Sequence, residues 1–301
     1  MPIIARAKSM VGFVVSRVLP IPIPRVVGST TELGALCKEM KVTTVLVVTD
    51  AIVSKLGLLD TGLESLKEAG VNVVIFDKVM PDPTVDICDE GFEIYLKNKC
   101  NGVICVGGGS VMDCAKLIAI RATNPSKSSK DFMGTLTVLT TLPPFIAVPT
   151  TAGTGSETTI AAVISFPKEQ KKYTVIDPNV CPHVAILDPT LLTKLPPAIT
   201  AATGMDALTH AVESYISPWR STLTGERSLS AIKNIFKYLK PSYEDPLDLE
   251  ARGHLLQASF DAGVAFTRAN VGYVHAIAHQ LGALFKTPHG TLNFLSSLTL
   301  F

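Results

Sequence analysis

Residues 102–122 read GVICVGGGSVMDCAKLIAIRA, and this stretch decides the fold class. Residues 103–106 form a β-branched apolar run with no polar alternation, which is how a strand covered on both faces reads. Gly107-Gly108-Gly109-Ser110 breaks that run, and residues 111–122 take up helical periodicity. Strand, glycine turn and helix together make half of a parallel crossover. Glycines let a backbone approach a pyrophosphate closely, and the amides that open a helix point at an anion, so the turn suits a dinucleotide. Lacking a G-x-G-x-x-G pattern, it reads equally as a plain tight turn between strand and helix.

Outward from this unit the alternation repeats. Apolar runs at residues 45–48, 73–76, 145–148 and 184–187 are separated by helical segments, among them 61–69 and 85–97. The pattern predicts an open, largely parallel sheet with helices on its faces. Residues 20–24, PIPIP, are a stiff extended entry to the first strand, and residues 135–144 read as a hairpin excursion. After Asp188-Pro189 the strand-like runs stop. The remainder of the chain is helix after helix, at residues 197–216, 223–239, 248–265 and 271–285. The expected division is an α/β domain over residues 1–188 and an all-helical domain over 189–301. There is no internal repeat and no low-complexity tract.

Composition limits the function classes. The 301 residues carry 27 Lys and Arg against 26 Asp and Glu, a net charge of +1, which gives no field to hold a phosphate backbone. Nucleic acid is excluded as a partner. Apolar runs are all shorter than the roughly 18–20 residues that span a bilayer, so no membrane partner is expected either. Arg6 and Lys8 before a short apolar stretch imitate a signal peptide, but Arg17 interrupts the stretch and no small-residue cleavage site comes after it. The six cysteines form no C-x-x-C pair and sit mostly in apolar segments, as reduced core thiols of a cytoplasmic protein do.

Two more segments could serve a cofactor. Asp50 comes just after the run at 45–48, where a carboxylate can accept from a ribose 2′-hydroxyl and repel a 2′-phosphate, favouring NAD, or can simply cap the next helix. PTTAGTGSE, residues 149–157, offers hydroxyls and open amides to a nicotinamide, or is an ordinary loop leading to a helix. A metal reading comes from the helical half. Asp206 and His210 are four apart in an apolar helix, and His275 and His279 repeat that spacing, with His289 next along the chain. Buried unpartnered, such groups would be costly, so a shared divalent cation is the economical reading. His183 and His254 have no such company.

With these pieces in place, GGGSVMDCAK, PTTAGTGSE, ATGMDALTHAVE and HAIAHQLGALFKTPHG stand in an order and spacing that resembles the iron-containing (group III) alcohol dehydrogenases, over about residues 24–293. The resemblance implies a dehydroquinate synthase-like architecture: an N-terminal α/β dinucleotide-binding domain with a parallel sheet, an all-helical C-terminal domain, and a cleft between them. By motif it implies Asp206, His210, His275 and His289 as metal ligands, and His279 as the histidine beside substrate and nicotinamide. It implies Gly108, Gly109 and Ser110 on the pyrophosphate, Asp50 on the adenosine ribose, and Thr150, Thr151, Thr159 and Val163 around the nicotinamide. Lys172 resembles a cofactor-contacting lysine, Leu187 lies on the adenine side, and Asp82 stands in a PDPT turn where many relatives carry Asn.

The implied chemistry is hydride transfer between an alcohol and NAD, with Fe(II), or Zn(II), as Lewis acid and His279 relaying the proton. A homodimer or larger assembly is also implied. Relatives continue through further helices where this text reads TLNFLSSLTLF, so the helical domain is expected to be incomplete at its C-terminal end. That feature keeps two alternatives in view, an inactive nucleotide binder and a hydroxyacid-oxoacid transhydrogenase.

Overall fold

The computed structural model describes residues 20–285, together with Gly290, Leu292, Asn293, Leu295 and Ser296. Six parallel strands form the main sheet: β1 (Arg25–Val27), β2 (Thr44–Val48), β3 (Asn72–Phe76), β4 (Gly102–Gly107), β6 (Phe145–Pro149) and β9 (Val184–Ile186), in the order β1-β9-β6-β4-β2-β3. The register pairs Val47 with Ile104 and Ile104 with Ile146, so apolar rows run unbroken across the sheet.

Side chains alternate across β2 and define two cores. Val45 and Val47 face one core with Ile104, Val106, Ile146 and Val148, while Leu46 and Val48 face the other with Val103, Cys105, Phe145 and Ala147. Helices α1 (Leu33–Glu39), α2 (Ala51–Lys55) and α3 (Asp60–Glu68) cover the first face. The opposite face is covered by α4 (Val85–Lys97) and α5 (Gly109–Thr123). The connections that leave β2 and β4 therefore run to opposite faces, although the two strands are neighbours. Such a switch point is where open α/β sheets bind ligands, at the carboxyl ends of the strands.

Between α5 and β9 the structure departs from the sequence reading. The stretch after Gly134 is not a hairpin: β5 (Gly134–Thr135) pairs in parallel with β8 (Lys171–Ile176), which is antiparallel to β7 (Ala161–Phe166), making a separate three-stranded sheet. β7 alternates in burial and opens on two alanines rather than on the β-branched residues that marked the central strands.

Beyond Ile186 the described regular structure is helical: α6 (Pro197–Ile216), α7 (Thr222–Glu244), α8 (Leu249–Ala269) and α9 (Tyr273–Phe285). Helix α7 continues past residue 239 and carries Pro241 inside it. Helices α6, α7 and α8 pack on Ala207, Ala211, Ala231, Ala258 and Ala262, small side chains that let the helices approach closely, with Ile235 filling the remaining space. The other side of α8 carries Leu255, Leu256, Phe260 and Val264 into the first sheet core. No described helix is long and apolar enough to cross a membrane.

Candidate metal and cofactor site

Helix α6 brings Asp206 and His210 onto one face, and α9 brings His275 opposite them. All three are buried, at 3%, 6% and 2% exposure, with one donor atom of each within 4.8 Å of the others. Asp206 Oδ1 lies 3.7 Å from His275 Nε2. The His210 ring stacks between Phe266 and His275, at centroid distances of 4.2 and 4.4 Å. Asn293 Nδ2 lies 2.5 Å from Asp206 Oδ1 and 3.2 Å from His275 Nε2. His279, one turn along α9, is exposed, its ring centroid 6.2 Å from that of His275. His289 lies outside the described residues. Gly290 is packed against Ala202 of α6, one turn before Asp206.

The donor set suits a divalent cation: one carboxylate and two imidazoles, dehydrated and convergent. Electrostatics agree. Burial alone would lower the His275 pKa, but hydrogen bonds and charge from Asp206 and Glu213 outweigh it and raise the value to about 9. The pocket favours positive charge.

Asp50, Gly108, Gly109, Ser110, Thr150, Thr151 and Leu187 lie at the carboxyl ends of β2, β4, β6 and β9, whereas Val163 and Lys172 belong to the smaller sheet. Helix α5 starts at Gly109, two residues earlier than the periodicity implied, with Gly108 as its cap. No side-chain cap bond covers the first amides of α5, which leaves them directed at an incoming anion. Ser110 Oγ accepts from Asp82 N at 3.3 Å, and Asp82 Oδ1 pairs with Lys172 Nζ at 2.6 Å. These three residues thus form one exposed cluster beside the glycine turn. Asp82 has φ +56°, a left-handed conformation that Asp and Asn tolerate best, which accounts physically for that pair of residues in the PDPT turn. Asp50 Oδ1 accepts from Ile52 N and Val53 N, so it does cap α2 while standing at the switch point.

The loop at residues 149–158 leaves the sheet and threads between helices. Thr150 N donates to Gly107 O, joining this loop to the glycine turn, and Thr151 is half-buried beside Gly108. A side chain at Gly153 would come within 2.6 Å of Thr203 on α6, three residues before Asp206. Gly155, at φ +59°, meets Gly263 of α8. The same loop thus touches both the glycine turn and the helix that carries Asp206 and His210.

Its interior is held by a network the sequence reading missed. Lys116 Nζ, fully buried, donates to Ser156 O, Thr159 Oγ1 and Ala161 O at 2.7–2.8 Å. Asp113 accepts from Ser156 Oγ and from Val163 N. Burial pushes the Lys116 pKa down and that of Asp113 up. Thr159 thus points its hydroxyl inward to Lys116, whereas Val163 is 38% exposed. Leu187 is buried in the first core, its amide bonded to Val27 O. Every cysteine is a buried free thiol, and His183 is an exposed residue whose Nδ1 accepts from Phe145 N.

Comparison with known proteins agrees with this geometry. The model of the iron-containing alcohol dehydrogenases matches residues 24–189, and the C-terminal model of the same family matches 200–297. The chain belongs to the iron-containing alcohol dehydrogenase family. It is an oxidoreductase of this family. Among relatives in this family, the NAD-dependent methanol dehydrogenase of Bacillus methanolicus is 39% identical over 88% of this chain and 70% of its own length. Alcohol dehydrogenase 4 of Schizosaccharomyces pombe is 41% identical over 88% of this chain and 63% of its own. The 1,3-propanediol dehydrogenase of Citrobacter freundii is 42% identical, over 88% and 69%.

Two solved structures resemble the fold across the family. A 1,3-propanediol oxidoreductase superposes with a TM-score of 0.88 at 39% identity, covering 92% of this chain and 73% of that one. The sulfoacetaldehyde reductase from Bifidobacterium kashiwanohense, in complex with NAD+, gives 0.83 at 33%, covering 91% and 73%.

Proposed function

We propose that this chain interconverts a small primary alcohol and its aldehyde with NAD, at one divalent cation held by Asp206, His210, His275 and His289. The observation that carries the reading is the convergence of three buried donors within 4.8 Å on α6 and α9, with α6 also touched by the loop at residues 149–158. Bound there, the cation supplies Lewis acidity at the substrate oxygen, and N and O donors suit Fe(II), with Zn(II) the alternative.

The protein's own residues supply the rest. Amides of Gly108, Gly109 and Ser110 bind the pyrophosphate, and Asp82 and Lys172 flank it. Asp50, at the end of β2, faces the adenosine ribose and selects NAD over its 2′-phosphorylated form. Thr150 and Thr151 face the nicotinamide, Val163 presents its exposed side chain to it, and Thr159 acts through its bond to Lys116. Leu187 backs the adenine side from within the core. His279, exposed one turn from His275, passes the reaction's proton to solvent. The substrate is small, as the names of the methanol and propanediol relatives imply for those proteins. A homo-oligomer in the cytoplasm completes the reading.

The test is NADH formation by the purified chain across a panel of short primary alcohols, before and after chelation. Activity is expected to disappear on chelation and to return with Fe(II) or Zn(II). Turnover indifferent to chelation, or a chain that takes up neither ion, would overturn the proposal.

A further inference from the structure

Helix α6 carries a third acidic or ligating group on the face that holds Asp206 and His210. Glu213 stands at the next helical step, so positions 206, 210 and 213 line one stripe. It is 3% exposed, a placement that a carboxylate reaches only with strong partners. Those partners all belong to the segment that begins α9. Glu213 Oε2 accepts from Gly272 N at 2.8 Å and lies 2.6 Å from His275 Nδ1, while Oε1 accepts from Val274 N at 2.7 Å.

This geometry does two things. First, the carboxylate fixes the His275 tautomer. In the neutral ring that would ligate a cation, the proton sits on Nδ1 toward Glu213, and Nε2 then offers its lone pair on the side of Asp206 Oδ1, where Asn293 Nδ2 also lies. Secondly, the carboxylate seats the helix itself, because its bonds to Gly272 and Val274 amides satisfy donors that open α9. Gly272 is the companion of this contact. A Cβ there would come within 2.8 Å of Glu213 Oε1, so glycine lets the carboxylate sit on the backbone.

We infer that Glu213 is the positioning residue of the metal centre, holding His275 in the ligating tautomer and docking α9 onto α6. The inference rests on the metal reading proposed above. A carboxylate behind a histidine ligand raises the basicity of the ring and locks its orientation, and loss of such a partner typically costs about 10–100-fold in metal affinity. Glu213 touches neither substrate nor cofactor in this arrangement.

The experiment compares the full chain with Glu213→Gln and Glu213→Ala, measuring Zn(II) affinity by chelator competition, the visible absorption of the Co(II)-loaded forms, and NAD affinity. Glu213→Gln is expected to weaken Zn(II) binding about 10–100-fold and to shift the Co(II) bands, leaving NAD affinity within about twofold. Glu213→Ala weakens Zn(II) further, since it also removes the acceptor for both amides. Should the alanine variant fail to fold, the glutamine variant decides alone. Zn(II) affinity and Co(II) bands unchanged in Glu213→Gln overturn the inference and leave the metal reading intact. A wild-type chain that binds neither Zn(II) nor Co(II) overturns both.

Discussion

Glu157 ends the cofactor loop at 2% exposure, and its Oε1 has no hydrogen-bond partner among the described residues. Burial is the main cause that lifts its pKa from the usual carboxylate range to about 7, and the nearby Lys116 only partly opposes it. A raised carboxyl pKa means that the folded chain binds more protons than the unfolded one between about pH 4.5 and 7, so stability falls as pH rises through that window. At about 1.36 kcal/mol per unit, the penalty above pH 7 is on the order of 3 kcal/mol. Glu157→Gln should therefore be more stable than wild type at pH 8 by about 1–3 kcal/mol, and nearly equal to it at pH 4.5. Urea midpoints across the range check this, and parallel profiles for the two proteins would sink it. Such residues were hard to see in the sequence. Asp206, His210 and His275 stood out because their neighbours are apolar, which makes a polar side chain conspicuous. Glu213 and Lys116 did not, because a lone charge on a helix reads as solvated until the partner segment, in these cases 40–62 residues away, is placed against it.

Helix α8 is the element that ties loop, sheet and α6 together, and it does so in part through close backbone approach. A Cβ on Gly263 would meet Thr158 Oγ1 at 2.3 Å and Gly155 O at 2.9 Å, with Thr158 itself fully buried. Overpacking of that kind costs about 1–3 kcal/mol, and here the group displaced is the loop proposed to line the nicotinamide. Gly263→Ala should lose stability by that amount and raise the KM for NAD. The control lies on the same helix. Gly253 has nothing nearer than Pro189 at 3.9 Å, so Gly253→Ala should stabilise by about 0.5–1 kcal/mol through helix propensity and leave the KM unchanged. Equal effects of the two variants would refute the claim that α8 holds the loop. The helices themselves were legible from periodicity, and α4 and α6 match the sequence reading end to end. The three-stranded sheet was not, since β5 has only two residues and β7 opens on two alanines and alternates in burial, with none of the β-branched character of the central strands at its start.

At the scale of the whole chain, one hydrophobic core runs across the point where the secondary structure changes character. The switch near residue 188 from strands with helices to helices alone is real, yet Leu255, Leu256, Phe260 and Val264 of α8 complete the hydrophobic core on one face of the sheet. Each such side chain stabilises by about 1.5–3 kcal/mol when buried, and the sheet face would lose that cover without α8. The two regions should therefore unfold together. The sequence provides native reporters for each. All six cysteines lie in the α/β region, buried at 7% exposure or less, and the single tryptophan, Trp219, lies between α6 and α7. Urea unfolding followed by thiol labelling and by Trp219 fluorescence should give coincident midpoints. Phe260→Ala, although placed among the helices, should lower both midpoints together, by about 3–5 kcal/mol of stability. Thiols that become reactive at a urea concentration where Trp219 has not changed would show instead that the α/β layer unfolds separately. With a shared core, a cation bound between α6 and α9 stabilises the cofactor region as well, because whatever binds only the folded chain is linked to every part that unfolds with it.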